Sequence, residues 1–135
     1  MAAEYRPWRY LRDHSEIEVA RCDLPAGLRG VLAESDGLAV IMLSKALLRP
    51  ERDEICWHEL IHRRRGGSGA RPGLPPHLRA LVRKEELRVD REVAATMLPD
   101  ERFEELRRRP DPVTIEEAAE ELEVPVDVLR RRLAG

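Results

Sequence analysis

His58-Glu59-Leu60-Ile61-His62 is the stretch of this 135-residue chain whose residue types and spacing can do chemistry. On a helix, residues four apart share a face, so His58 and His62 project side by side. Two neutral imidazoles at that spacing can both reach a Zn²⁺ ion at about 2.0–2.1 Å. Glu59, about 100° round the helix from His58, can approach solvent on the metal without being a ligand. The chemistry implied is metal-assisted hydrolysis: the ion acidifies a water and a carboxylate takes its proton. The chain has 4 histidines, and two of them fall in this motif. Ile55, Trp57, Leu60 and Ile61 make the segment apolar almost all round, as expected of a buried helix. Two imidazoles and a carboxylate buried without partners would be costly, and a metal offsets that cost.

Two histidines leave zinc undersupplied, because a catalytic site usually has three protein ligands and an open position. The next helical pattern, Pro76–Leu98, offers the third. Its apolar face reads at helical spacing as Leu78, Val82, Val89, Val93 and Met97. Glu86 falls in the middle of that face, where a bare carboxylate would carry a heavy desolvation penalty. Glu85 is rotated to the flank, so Glu86 is the expected ligand; a salt bridge with Arg83 or Arg88 is the alternative use. Asp90, four residues after Glu86, is placed to orient a ligand histidine. Glu54, four residues before His58, is either a second partner of that histidine or a charge at the helix N-terminus.

The elements that must position these residues follow from punctuation and periodicity. Pro50 suits the first turn of the motif helix, with Glu51, Asp53 and Glu54 near its positive end, and the helix runs to about Arg63. The run from Arg63 to Gly73 stops it and reads as a flexible loop, its arginines capping the helix C-terminus or binding an acidic group. Upstream, Ile17–Leu24, Leu28–Glu34 and Leu38–Leu43 read as strands. Asp36-Gly37 between two apolar runs predicts a hairpin, and the three strands are expected to form a small antiparallel sheet. Lys45–Leu48 predicts a short helical turn. Pro7–Asp13 predicts a short helix clamping Trp8 and Leu11 onto the domain.

Composition sets the outer limits. The charged fraction is 37 % but the formal net charge is only −2, which argues against nucleic acid as a partner. The two cysteines, Cys22 and Cys56, match neither a disulfide framework nor a cysteine-based zinc motif; Cys56 is turned away from His58 and reads as a packing residue. No leader peptide and no stretch long enough to cross a membrane is visible, so a cytoplasmic protein is expected.

His58-Glu59-Leu60-Ile61-His62, followed by Glu86-Leu87-Arg88-Val89-Asp90 and an apolar helix closing in Leu98-Pro99, resembles the ImmA/IrrE family of metallopeptidases. That family pairs a zincin helix with a downstream E-x-x-A-[DN] segment. The resemblance spans roughly Glu51 to Pro99. It implies His58, His62 and Glu86 as zinc ligands, Glu59 as the catalytic base, and a protein substrate such as a repressor or antitoxin encoded nearby. Val89 stands where alanine is usual, and Ile61 where a small residue often precedes the second histidine. Tyr5, Tyr10 and His77 are all open as a second stabiliser of the oxyanion.

The expected architecture is therefore α+β and zincin-like, with the small sheet packed on the active-site helix and a second ligand-bearing helix. Residues 1–109 form the metallopeptidase domain, and 110–135 a two-helix segment packed on it. Thr114-Ile115-Glu116-Glu117 is a capping box, and Val124-Pro125 separates the two short helices. The other function compatible with this pattern is a non-enzymatic regulator binding a repressor or DNA through those helices. Glu116, Glu117, Glu120, Glu121 and Glu123 set them against DNA.

Overall fold

The computed structural model describes residues 5–66 and 75–135. In chain order these form α1 (Pro7–Arg12), β1 (Ile17–Cys22), β2 (Gly30–Ser35), β3 (Leu38–Ser44), α2 (Arg49–Arg64), α3 (Pro76–Met97), α4 (Asp100–Arg107), α5 (Ile115–Leu122) and α6 (Val126–Ala134). The architecture is α+β. Most of the loop expected after the motif helix, Arg71 included, lies outside the described residues.

The most apolar strand takes the centre of the sheet, whose order is β1-β3-β2. Asp36 and Gly37 both have positive φ, 52° and 79°, the two-residue primed turn that matches strand twist and makes β2 and β3 antiparallel. β1 pairs with the other edge of β3 in parallel, Ile17 opposite Ala39 and Cys22 opposite Ser44. The sheet is therefore mixed, and the expectation of an antiparallel sheet is corrected at β1. The physical reason is that the tight hairpin occupies one side of β3, leaving β1 only the other. The Pro25–Gly27 segment then carries the chain across the end of β3, where Ser44 N donates to Arg29 O and Lys45 N to Cys22 O, each at 3.0 Å. The strands are otherwise within two residues of their expected bounds.

Along β3, Ala39, Ile41 and Leu43 are buried and their neighbours are not, so one face looks into the core, where α2 packs against β2 and β3. Glycine is required at position 30: a Cβ there would lie 2.5 Å from Ile55 Cγ2. α2 starts with Pro50 in its first turn and with Glu51 Oε1 accepting from Leu48 N at 3.0 Å. Lys45 and Ala46 form a turn rather than the expected helical turn, held by Ala46 N donating to Ser44 Oγ.

α3 corrects a second expectation. Its buried residues are Val89, Val93, Ala94 and Met97, whereas Leu78 is exposed and Val82 half-buried. Its buried face begins only after Glu86. α4 was not anticipated, although Pro99 followed by Asp100-Glu101, with Arg107 in the last turn, is an ordinary helix signature. Buried Arg102 donates to Met97 O at 2.7 Å and to Leu122 O, tying α4 to α5. Thr114 Oγ caps α5 by accepting from Glu117 N, and Glu123, at φ 58°, ends it in the left-handed region. α6 packs on α3, and Ala118, Leu122, Val128 and Leu129 share one core with Ile41, Leu60 and Val93. No described helix is long and apolar enough to cross a membrane.

Candidate metal centre

α2 places His58 and His62 one turn apart, and their Nε2 atoms lie 3.1 Å from each other. α3 brings Glu86 across to them: Oε2 is 3.4 Å from His58 Nε2, and Oε1 is 2.9 Å from His62 Nε2. An ion with bonds of about 2.05 Å and tetrahedral angles sets its ligand atoms about 3.3 Å apart. The two imidazole nitrogens are close to that spacing, Glu86 turns a different oxygen to each ring, and one donor atom from each of the three residues falls within 4.8 Å of the others. His62 is buried, 5 % exposed, and His58 half-buried. Among the described residues this is the one group of histidine, cysteine and acidic side chains whose donor atoms converge in this way. Two imidazole nitrogens and a carboxylate oxygen are a donor set that suits zinc, and the His58 and Glu86 side chains are partly exposed to solvent, 23 % and 34 %.

Glu86 reaches the cluster without being buried: its side chain is 34 % exposed. Proximity to the two imidazoles, and not burial, is what singles Glu86 out. The alternative salt bridge is made by its neighbour, with Glu85 pairing with Arg88 and with Arg65.

Glu59, next to His58 and half-buried, has its carboxyl raised above the ordinary value by burial, against the pull of His58 and His62. Asp90 Oδ1 is 3.5 Å from His58 Nδ1, the ring nitrogen facing away from His62. That contact holds the Asp90 carboxyl below its usual value, with Arg131 assisting. Burial lowers His58, but Asp90, Glu59 and Glu86 more than reverse this and leave it raised.

Glu54 is placed differently. Its buried carboxylate takes Arg131 Nη1 at 3.2 Å and has Arg29 Nη2 at 3.9 Å. Burial raises its carboxyl despite both arginines. Cys56 is fully buried, and burial pushes its thiol up to about 12. Of the oxyanion candidates, Tyr5 lies under the Arg102 guanidinium, Tyr10 stacks on His14 beside Trp57, and His77 is exposed at the start of α3.

Arg131 is the residue that sequence reasoning missed. Besides Glu54 it approaches Asp90, with Nη2 3.9 Å from Oδ2. A signal did exist: Arg131 is three residues after buried Val128, on the flank of the stripe that docks α6. The run after the motif is also used internally, Arg63 with Glu16 and Glu34, and Arg65 with Glu85 and Glu92.

No protein-family model matches this chain, and neither a curated protein nor a solved structure is found to be similar to it.

Proposed function

We propose that this protein is a zinc-dependent endopeptidase of zincin-like architecture that cuts a regulatory protein in the cytoplasm. The observation that carries the reading is the convergence of His58 Nε2, His62 Nε2 and the Glu86 carboxylate within 2.9–3.4 Å of one another. The resemblance to ImmA/IrrE metallopeptidases supports the same ligand set and a substrate such as a repressor or antitoxin encoded nearby. A helix bearing both histidines beneath a small sheet, with the third ligand on the next helix, supports the zincin-like architecture.

When bound, zinc acidifies a water and polarises the scissile carbonyl. His58, His62 and Glu86 are the residues that would hold it. Glu59 takes the proton of the attacking water and passes it to the leaving amine, a role suited to a carboxylate beside the ligands with a raised proton affinity. Asp90 faces Nδ1 of His58 and leaves Nε2 turned to His62 and Glu86, the orientation in which it would serve as a ligand. Recognition of DNA by the last helix is disfavoured, because Arg131 is tied to Glu54 and Arg132 to Leu98 O and Asp100.

The test is elemental analysis with two variants. The purified protein carries near-equimolar zinc, and His58→Ala loses it. Glu59→Gln keeps zinc and fold but slows cleavage of the co-expressed partner by roughly 10²–10⁴-fold. Undiminished zinc in His58→Ala refutes the site. Unchanged processing in Glu59→Gln refutes the hydrolysis and leaves a regulator.

A further inference from the structure

We infer that Arg131, on the last helix, is a positioning residue for the metal centre: its guanidinium forks between Glu54 and Asp90 and holds the acid that orients His58. This rests on the zinc reading above and extends it to an element outside the ligand-bearing helices. Nη1 donates to Glu54 Oε2 at 3.2 Å, and Nη2 stands 3.9 Å from Asp90 Oδ2. The other oxygen of Asp90 faces His58 Nδ1 at 3.5 Å. Glu54 lies one turn before His58 on α2, and Asp90 one turn after Glu86 on α3. One side chain of α6 therefore spans the gap between the two helices that supply ligands.

The arrangement has a clear physical use. Glu54 and Asp90 flank the gap with like charge, and Glu86 and Glu59 add to it. A planar cation between them offsets the repulsion, hydrogen-bonding to Glu54 at 3.2 Å and standing as a longer ion pair, 3.9 Å, from Asp90. Its charge draws Oδ2 of Asp90 to one side while Oδ1 stays turned to His58 Nδ1. Arg132 provides an internal comparison. It docks the same helix to the end of α3, through Leu98 O at 2.7 Å and Asp100, and touches neither Glu54 nor Asp90 in these contacts.

Removing a positive charge near a dication would by itself tighten metal binding, so the informative variant keeps the charge. Arg131→Lys loses the fork only. Zinc affinity is read by competition with a chromophoric chelator, with apo-protein melting as the check on folding. The expected result is about tenfold weaker zinc binding in Arg131→Lys, within the range seen when an outer partner of a ligand is lost. In an Asp90→Asn background the same change has little further effect, because the residue acts through Asp90. Glu54→Asp keeps the charge but shortens the guanidinium's other anchor by one methylene and weakens zinc several-fold, which keeps the test open if Arg131→Lys folds poorly. Arg132→Lys leaves affinity unchanged. The inference is overturned if Arg131→Lys and Glu54→Asp both bind zinc within twofold of wild type, or if Arg132→Lys weakens binding as much as Arg131→Lys. A wild-type protein that binds no zinc overturns the metal reading itself and the inference with it.

Discussion

Cys56 and His58 are two residues apart on α2, yet they meet opposite environments. The α-helical period turns Cys56 into the core, fully buried, while His58 faces Glu86 and Asp90. That division was readable from spacing alone, as was the pairing of His58 with His62, because both lie within one helix whose period fixes them. Glu86 was readable for a different reason than the true one. Its position on α3 was right for the cluster, but its supposed burial came from extending the apolar face back to Leu78, which is exposed. Arg131 was not readable as a partner of Asp90, since that contact exists only once α6 has docked on α3. Cysteine reactivity checks the local assignment. Native protein treated with a maleimide is expected to label at half-exposed Cys22 and not at Cys56, with both labelling in denaturant. Equal native rates at the two positions would show that α2 does not bury the face opposite its histidines.

At the scale of elements, α2, α3 and the three strands were legible, whereas α4 and the pairing of β1 were not. Proline at the first turn and a long periodic stretch mark α2 and α3 locally, whereas the pairing of β1 depends on which edge of β3 remains free. A seven-residue connection between two strands looks the same in sequence whether they become neighbours or flank a third. The distance between sheet and motif helix rests on a feature with no motif of its own, Gly30. A methyl group there would meet Ile55 Cγ2 at 2.5 Å. That methyl is bonded directly to a β-branched Cβ with few rotamers in a helix, so it cannot swing aside. Gly30→Ala is therefore expected to push β2 off α2 and to destabilise the protein by about 1–3 kcal/mol. Urea unfolding should show a lower midpoint with an unchanged slope. A midpoint equal to that of wild type would mean that the strand yields at no cost and that α2 is not held at this distance.

At the scale of the whole molecule, the candidate centre couples elements that are far apart in sequence. Two candidate ligands come from α2 and one from α3, Arg131 reaches in from α6, and the core beneath runs from Ile41 through Leu60 and Val93 to Leu129. In an unfolded chain His58 and Glu86 are separated by the intervening sequence and cannot hold an ion together, so binding stabilises the folded form alone. The size of the effect follows from mass action: zinc at a hundred times its dissociation constant adds about 2.7 kcal/mol. For a domain of this length each kcal/mol moves the midpoint by roughly 4 °C, which predicts an upward shift of about 10 °C on adding zinc to chelator-stripped protein. EDTA should reverse it. His62→Ala removes a buried candidate ligand and should abolish the shift; its apo midpoint should fall as well, because a buried ring and its 2.9 Å contact with Glu86 are lost, so the change on adding zinc is the readout. A zinc-induced shift of the same size in His62→Ala would place the ion elsewhere, and the convergence of these three side chains would then be a packing arrangement without chemistry.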